Sequence, residues 1–214
     1  MAVKKDREYR DMTIEVRTAE DAEVEQEERK IVTGYASTFN EPYTLFENDD
    51  WRFNEVVDAR AFDNTDMSDV IMQYDHEGRV FARMSNNTLT VIPDEKGLLI
   101  EADLGGTELG RQLYEEIRGG YTNKMSFGFT VDGEDRLDTK DVDGKDLTVR
   151  TITSVRKLYD VSAVSLPAND ATSISVRSLT DGEIERIRAE RLEAEALELR
   201  RRKLLARAKL NGGQ

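Results

Sequence analysis

Cysteine is absent from the 214-residue chain, and histidine occurs once, as His76. The lack of thiols removes cysteine nucleophiles, zinc–thiolate centres and disulfides in one step. A lone imidazole also disfavours zinc, which takes several His or Cys ligands. The acidic clusters at Glu20–Glu28 and Asp132–Asp146 lack EF-hand spacing, so no metal site and no cofactor is expected. The glycine pairs Gly105-Gly106 and Gly119-Gly120 match no phosphate-loop pattern and read as turns. No stretch approaches the roughly 18 apolar residues that would cross a bilayer. The N-terminal MAVKKDREYRD has no apolar core of a signal peptide. Neither a membrane nor secretion is expected, and the missing cysteines fit a reducing cytoplasm.

What the chain does have is charge. Charged residues make up 35% and hydrophobic ones only 38%, which places part of the sequence in solvated helix or tail rather than core. The net charge is −13 and the sequence pI about 4.7. Thr180–Leu210 holds nine basic and seven acidic residues, a net of +2, so the rest carries −13 less +2, or −15. So acidic a body repels phosphate backbones, and nucleic acid is not an expected partner.

Hydrophobic alternation and turn residues suggest many short strands. Residues 1–29 form a polar, acidic N-terminal segment in which Met12–Val16 alternates as an edge strand. Ile31–Phe39 is β-branched and aromatic, stops at Asn40-Glu41-Pro42, and predicts a strand. Glu55–Val57 is a short extended piece, followed by an N-capped helical turn over Asp58–Phe62. Asp69–Tyr74 predicts a buried strand that delivers Asp75-His76 at its end, with a turn at Glu77-Gly78. Thr88–Ile92 and Leu98–Leu104 flank the turn Pro93–Gly97. Thr107 is positioned to cap a helix carrying Leu109, Leu113, Tyr114 and Ile117, ended by Gly119-Gly120. Lys124–Val131 alternates, with Met125, Phe127 and Phe129 on one face and Ser126, Gly128 and Thr130 on the other. Asp132–Asp146 reads as an exposed, mobile loop, and Leu147–Val155 and Leu158–Leu166 as two further strands.

These elements predict an α+β fold: a β-rich, barrel-like core over residues 30–178 with a few helices. Residues 179–214 predict a charged helix capped by Asp181, with an imperfect apolar stripe from Ile184 to Leu205. That helix reads as a solvated helix with i,i+4 charge pairs or as a docking helix. Arg200–Lys203 leaves a nucleic-acid role open, though neighbouring glutamates blunt it.

His76 is the one obvious general base, because only an imidazole titrates near neutrality without perturbation. A base needs a nucleophile, and Ser126, in an apolar strand and followed two residues on by a glycine, is the hydroxyl that stands out. Asp160 lies among apolar flanks in Leu158–Ser162; buried there, its carboxylate needs a partner such as an imidazole N–H. Asp75, as a strand neighbour of His76, points to the opposite face. The plainer readings stay open here: an ordinary strand-end histidine, an ordinary strand serine, and an acidic residue of unassigned role.

Taken in order, several segments resemble the prohead maturation proteases of tailed bacteriophages. They are Gly34–Phe39, Glu55–Val57 with Ala61-Phe62, Tyr74–His76, Gly97–Leu104, Lys124–Phe129 and Asp160–Asn169. That family is similar to the herpesvirus assemblins, serine proteases with a β-barrel core surrounded by helices. The resemblance implies Ser126 as nucleophile, His76 as general base and Asp160 at the third position, where glutamate is frequent. The spacer after the histidine, Glu77-Gly78-Arg79, is shorter than the family's proline-bearing turn. Backbone amides are the expected oxyanion donors, with Arg83 a side-chain candidate.

A protein of this kind would cut the scaffolding segment of the major capsid protein, and itself, inside the immature capsid in the host cytoplasm. It would have the capsid protein and other copies of itself as partners. The competing class is a non-enzymatic internal scaffold that docks capsid subunits through the C-terminal helix. A metal-dependent hydrolase built on the carboxylates is a third.

Overall fold

The computed structural model describes residues 7–12, 17–18 and 29–164, and toward the C-terminus residues 186, 187, 189, 190, 192, 193, 196, 197 and 200–202. The chain divides into two compact units, Met1–Ser175 and Val176–Gln214. Residues 13–16 of the expected strand Met12–Val16, the acidic run Glu20–Glu28, residues 165–166 of the expected strand Leu158–Leu166 with its stop at 167–169, the cap Asp181 and the stop at 211–213 lie outside the described residues. In the second unit the described residues are helical, and Arg186 and Glu190 form an i,i+4 pair at 4.0 Å.

The first unit is β-rich with one α-helix, a mixed α+β architecture of two open sheets. Its strands are β1 (Glu8–Met12), β2 (Arg17–Thr18), β3 (Ile31–Thr38), β4 (Tyr43–Glu47), β5 (Trp51–Val57), β6 (Ile71–Tyr74), β7 (Glu77–Arg83), β8 (Leu89–Pro93) and β9 (Gly97–Asp103). After the helix α1 (Glu108–Arg118) come β10 (Lys124–Lys140) and β11 (Asp146–Val164). The larger sheet runs β1-β10-β11-β5-β4, with β6 also on β11 and β7 on β6; the smaller runs β2-β3-β9-β8. Neither order closes on itself among the described residues, so the barrel-like core expected from the sequence is here a pair of open sheets.

Three expectations need correction. Asp132–Asp146 is not a loop: β10 runs on to Lys140 and turns only at residues 141–145. Its far half is exposed on both faces, so it has no apolar alternation to mark it as strand. The two expected strands after it are one, β11, bent by register shifts opposite Gly128–Glu134. Asp58–Phe62 is a chain of turns rather than helix, although Asp58 Oδ1 does accept from the Arg60 amide at 2.8 Å. The strands β4 and β7 carry no marked apolar period and were not expected.

β11 has two neighbours on one edge. Its first half lies parallel to β5, with Arg150 opposite Glu55, and its second half parallel to β6, with Asp160 opposite Ile71. Phe62, Phe127, Phe129, Leu158, Ile100 and Leu113 join one buried core drawn from both sheets and α1. At about 1.5–3 kcal/mol for each large apolar side chain, this core fixes the position of β10 and β11. The α1 cap is the expected one, Thr107 Oγ1 accepting from the Gly110 amide at 2.9 Å. Leu113, Tyr114 and Ile117 are buried, whereas Leu109 is exposed.

Candidate active site

Period-two alternation on β10 decides which side chains can meet. Ser126 pairs with Ser162 across the strands, and Gly128 with Asp160. Cross-strand partners project to the same side, so Ser126, Ser162 and Asp160 share one face with the bare Gly128. Met125, Phe127 and Phe129 fill the opposite face, with the rings of Phe127 and Phe129 stacked at 4.6 Å.

His76 reaches this face from the two-residue turn that follows directly on the end of β6. Tyr74 pairs with Glu77, and the two residues between them, Asp75 and His76, have φ of 47° and 59°. Two positive φ values in a two-residue hairpin loop are the type I′ pattern. Asp and His tolerate it better than most non-glycine residues. The turn expected at Glu77-Gly78 is therefore two residues earlier, and β7 begins at Glu77. The Asp75 amide donates to the Ala163 carbonyl at 3.0 Å, which ties the turn to β11 and holds the imidazole above it.

The structure brings the three sequence-selected residues together. His76 Nε2 lies 2.5 Å from Ser126 Oγ, and His76 Nδ1 lies 2.5 Å from Asp160 Oδ1. Ser162 Oγ donates to the same Asp160 oxygen at 3.0 Å. Ser126 and Asp160 are fully buried, while the His76 side chain keeps 16% exposure. Removed from water, the carboxylate needs donors, and the Nδ1–H and the Ser162 hydroxyl supply two. With the Nδ1 proton held by Asp160, Nε2 presents a lone pair to the Ser126 hydroxyl. That arrangement can take a proton from an alcohol as the alcohol attacks.

The N-terminal strand was missed as part of this site. β1 pairs antiparallel with β10, Tyr9 opposite Gly128, Arg10 opposite Phe127 and Asp11 opposite Ser126. The Ser126 hydroxyl lies 2.9 Å from the Arg10 carbonyl, a second acceptor for its single proton. The Tyr9 ring packs on the His76 ring at 4.4 Å, and Arg7 Nη2 sits 2.8 Å from Asp160 Oδ2 without hydrogen-bond geometry. Burial pushes the Tyr9 phenol up, the Arg7 charge pulls it down and Asp160 raises it again, for a net rise.

Arg10 turns away from Ser126 into a buried charge cluster. Its Nε donates to Glu55 Oε1 at 2.5 Å and its Nη2 to Glu55 Oε2 at 2.9 Å. Arg150 Nη1 donates to the same Glu55 Oε2 at 2.9 Å and to Glu8 Oε2 at 2.8 Å, and Arg150 Nε to Glu134 at 2.7 Å. The Tyr43 hydroxyl donates to Glu55 Oε1. Burial raises the Tyr43 phenol and the Glu55 charge raises it further, to well above its ordinary value. A signal for this cluster exists in the sequence: Glu55 falls on the buried parity of Trp51, Phe53 and Val57, and Arg150 on that of Thr148 and Ile152.

Arg83 is committed elsewhere, donating to Asp69 Oδ1 at 3.1 Å and Oδ2 at 2.7 Å. Among the described residues no group of three or more His, Asp or Glu side chains is gathered as a metal ligand set, and no helix is long and apolar enough to cross a membrane. Compared with known proteins, residues 13–186 match the family described as caudovirus prohead serine protease. No curated protein and no solved structure gives a match.

Proposed function

This chain belongs to the caudovirus prohead serine protease family, and we propose that it is an endopeptidase whose working groups are Ser126, His76 and Asp160. One observation carries the assignment of residues: the unbroken chain of contacts from Asp160 through His76 to Ser126, at 2.5 Å on each side of the ring. Ser126 Oγ attacks the scissile carbonyl carbon as His76 Nε2 takes its proton. The imidazolium then gives that proton to the departing amine, leaving an acyl-serine that water hydrolyses by the same steps. Asp160 keeps the imidazole in the tautomer with Nε2 free and stabilises the imidazolium.

The substrates in this reading are the scaffolding segment of the major capsid protein and the protease itself, inside the immature capsid in the host cytoplasm. The helical residues after 179 serve as a docking or removable tail. The family match does not favour the non-enzymatic scaffold. Mass spectrometry of purified wild type, Ser126→Ala and His76→Ala tests the reading. Wild type is expected to generate self-derived fragments and both variants none. Fragments from purified Ser126→Ala would exclude Ser126 as nucleophile.

A further inference from the structure

We propose that the β10 edge beside Ser126 is the substrate's seat, that the chain's own strand Glu8–Met12 fills it, and that the protease accordingly takes extended peptides with arginine on the acyl side of the cut bond. This rests on the serine-protease reading above and adds to it a substrate class.

The argument begins with what β1 covers. Tyr9 lies on His76, Arg7 lies against Asp160, and the Arg10 carbonyl faces Ser126 Oγ at 2.9 Å. An acyl carbonyl must come to that serine from the same quarter. While β1 is seated, no second peptide can pair with this edge of β10, and the Arg10 carbonyl competes with Nε2 for the hydroxyl proton. Strand addition is a standard way to hold an extended peptide, main-chain bonds giving affinity and side-chain pockets giving choice. The family match starts at residue 13, so the strand filling this edge lies outside the matched region.

The pocket then names the side chain. Arg10, whose carbonyl meets the nucleophile, sends its guanidinium to a fully buried carboxylate, Glu55, by two parallel bonds of 2.5 and 2.9 Å, with the Phe129 ring 5.6 Å away. With Arg10 withdrawn, the buried Glu55 loses the two bonds that guanidinium gives it and keeps, among the described residues, only the Tyr43 hydroxyl and Arg150 as donors. A cationic donor from the incoming peptide restores those two bonds to Glu55. The two-pronged geometry matches guanidinium better than ammonium, so arginine outranks lysine.

The test uses the full-length chain carrying Ser126→Ala, with and without Tyr9→Ala and Arg10→Ala, and a fluorescent peptide of residues 7–13. Anisotropy is expected to show at least about tenfold tighter binding to the chain whose own strand is weakened. It is also expected to show at least about tenfold weaker binding when the peptide's second arginine, corresponding to Arg10, becomes alanine. Equal affinity for the arginine and alanine peptides, or no binding to the folded triple variant, overturns the proposal. Should that variant not fold, hydrogen exchange at residues 8–12 of the Ser126→Ala chain is followed with excess peptide. Acceleration supports displacement, and an unchanged rate overturns it. These arms involve no bond cleavage. Failure here beside intact Ser126-dependent fragmentation sinks only the substrate assignment, whereas fragmentation without Ser126 sinks the protease reading.

Discussion

Gly128 and Asp160 face each other across β10 and β11 so closely that a methyl group on Gly128 would lie 2.4 Å from Asp160 Oδ2 and 2.8 Å from the Tyr9 ring. The missing side chain is what lets a carboxylate lie over the strand that bears the serine. Gly128→Ala is expected to push Asp160 off His76 and so to lower peptide cleavage at least about tenfold. The shift costs on the order of 1–3 kcal/mol, as overpacking does, and an active, normally stable variant would show that the carboxylate can move without consequence.

Asp160→Asn tests a different property of the same residue. An amide can fill the same volume, but presenting its N–H to Nδ1 favours the tautomer in which Nε2 is protonated. A loss of roughly 10³–10⁴ in kcat with the melting temperature nearly kept is expected. Peptide hydrolysis and calorimetry on one preparation check it. Activity near wild type would remove Asp160 from the mechanism.

The turn that holds His76 offers a test through the backbone alone. Asp75 has φ of 47°, a region glycine occupies freely and β-branched residues avoid. Asp75→Gly is expected to keep activity, whereas Asp75→Val is expected to lose stability by roughly 1–2 kcal/mol and to displace the imidazole. Equal activity in the two variants would mean that the turn does not set the ring's position.

The buried charge cluster behind β1 should behave as an all-or-none unit. Arg150 is held between Glu8, Glu55 and Glu134; burial would lower it, but the Glu8 hydrogen bond and the Glu55 and Glu8 charges outweigh burial and raise it. Removing one partner leaves carboxylates in the interior with too few donors. Arg150→Leu is therefore expected to cost about 3–5 kcal/mol, measured from the urea midpoint. A cost below about 1 kcal/mol would place the cluster in contact with water.

How much of this was legible in the sequence depends on how local the signal is. Ser126 stands in a strand whose alternation puts it on a definable face and His76 is the only base of its kind, so both were legible as candidates. Asp160 was one acidic residue among many until the family resemblance pointed to it. The Thr107 cap and the β8–β9 hairpin carry their own side-chain chemistry and were equally readable. The N-terminal strand was not, because Arg10 and Ser126 are 116 residues apart and pairing over that distance leaves no local trace. The ribbon beyond Val131 was misread for the opposite reason: exposed on both faces, it needs no apolar pattern to be a strand. Glu55 and Arg150 were readable but unread, as charges standing at buried parity.

Glu8 gives the β1 contact a pH dependence whose sign can be worked out. Burial alone would push its carboxyl up, but the Arg150 hydrogen bond and the charges of Arg10 and Arg150 outweigh it and lower the value from 4.5 to about 2. A carboxyl depressed in the folded state stabilises that state fully above the unfolded value and loses the contribution as pH falls through the folded one. The window is therefore about pH 4.5 down to about 2, and the contribution at neutral pH is on the order of 3 kcal/mol. Glu8→Gln cannot titrate, so the stability difference between wild type and Glu8→Gln is expected to be largest above pH 5 and to shrink steadily toward pH 2. Urea unfolding of both proteins across that range measures it. A difference that stays constant with pH would mean that Glu8 is not charged against the two arginines, and the clamp on β1 would then need another source.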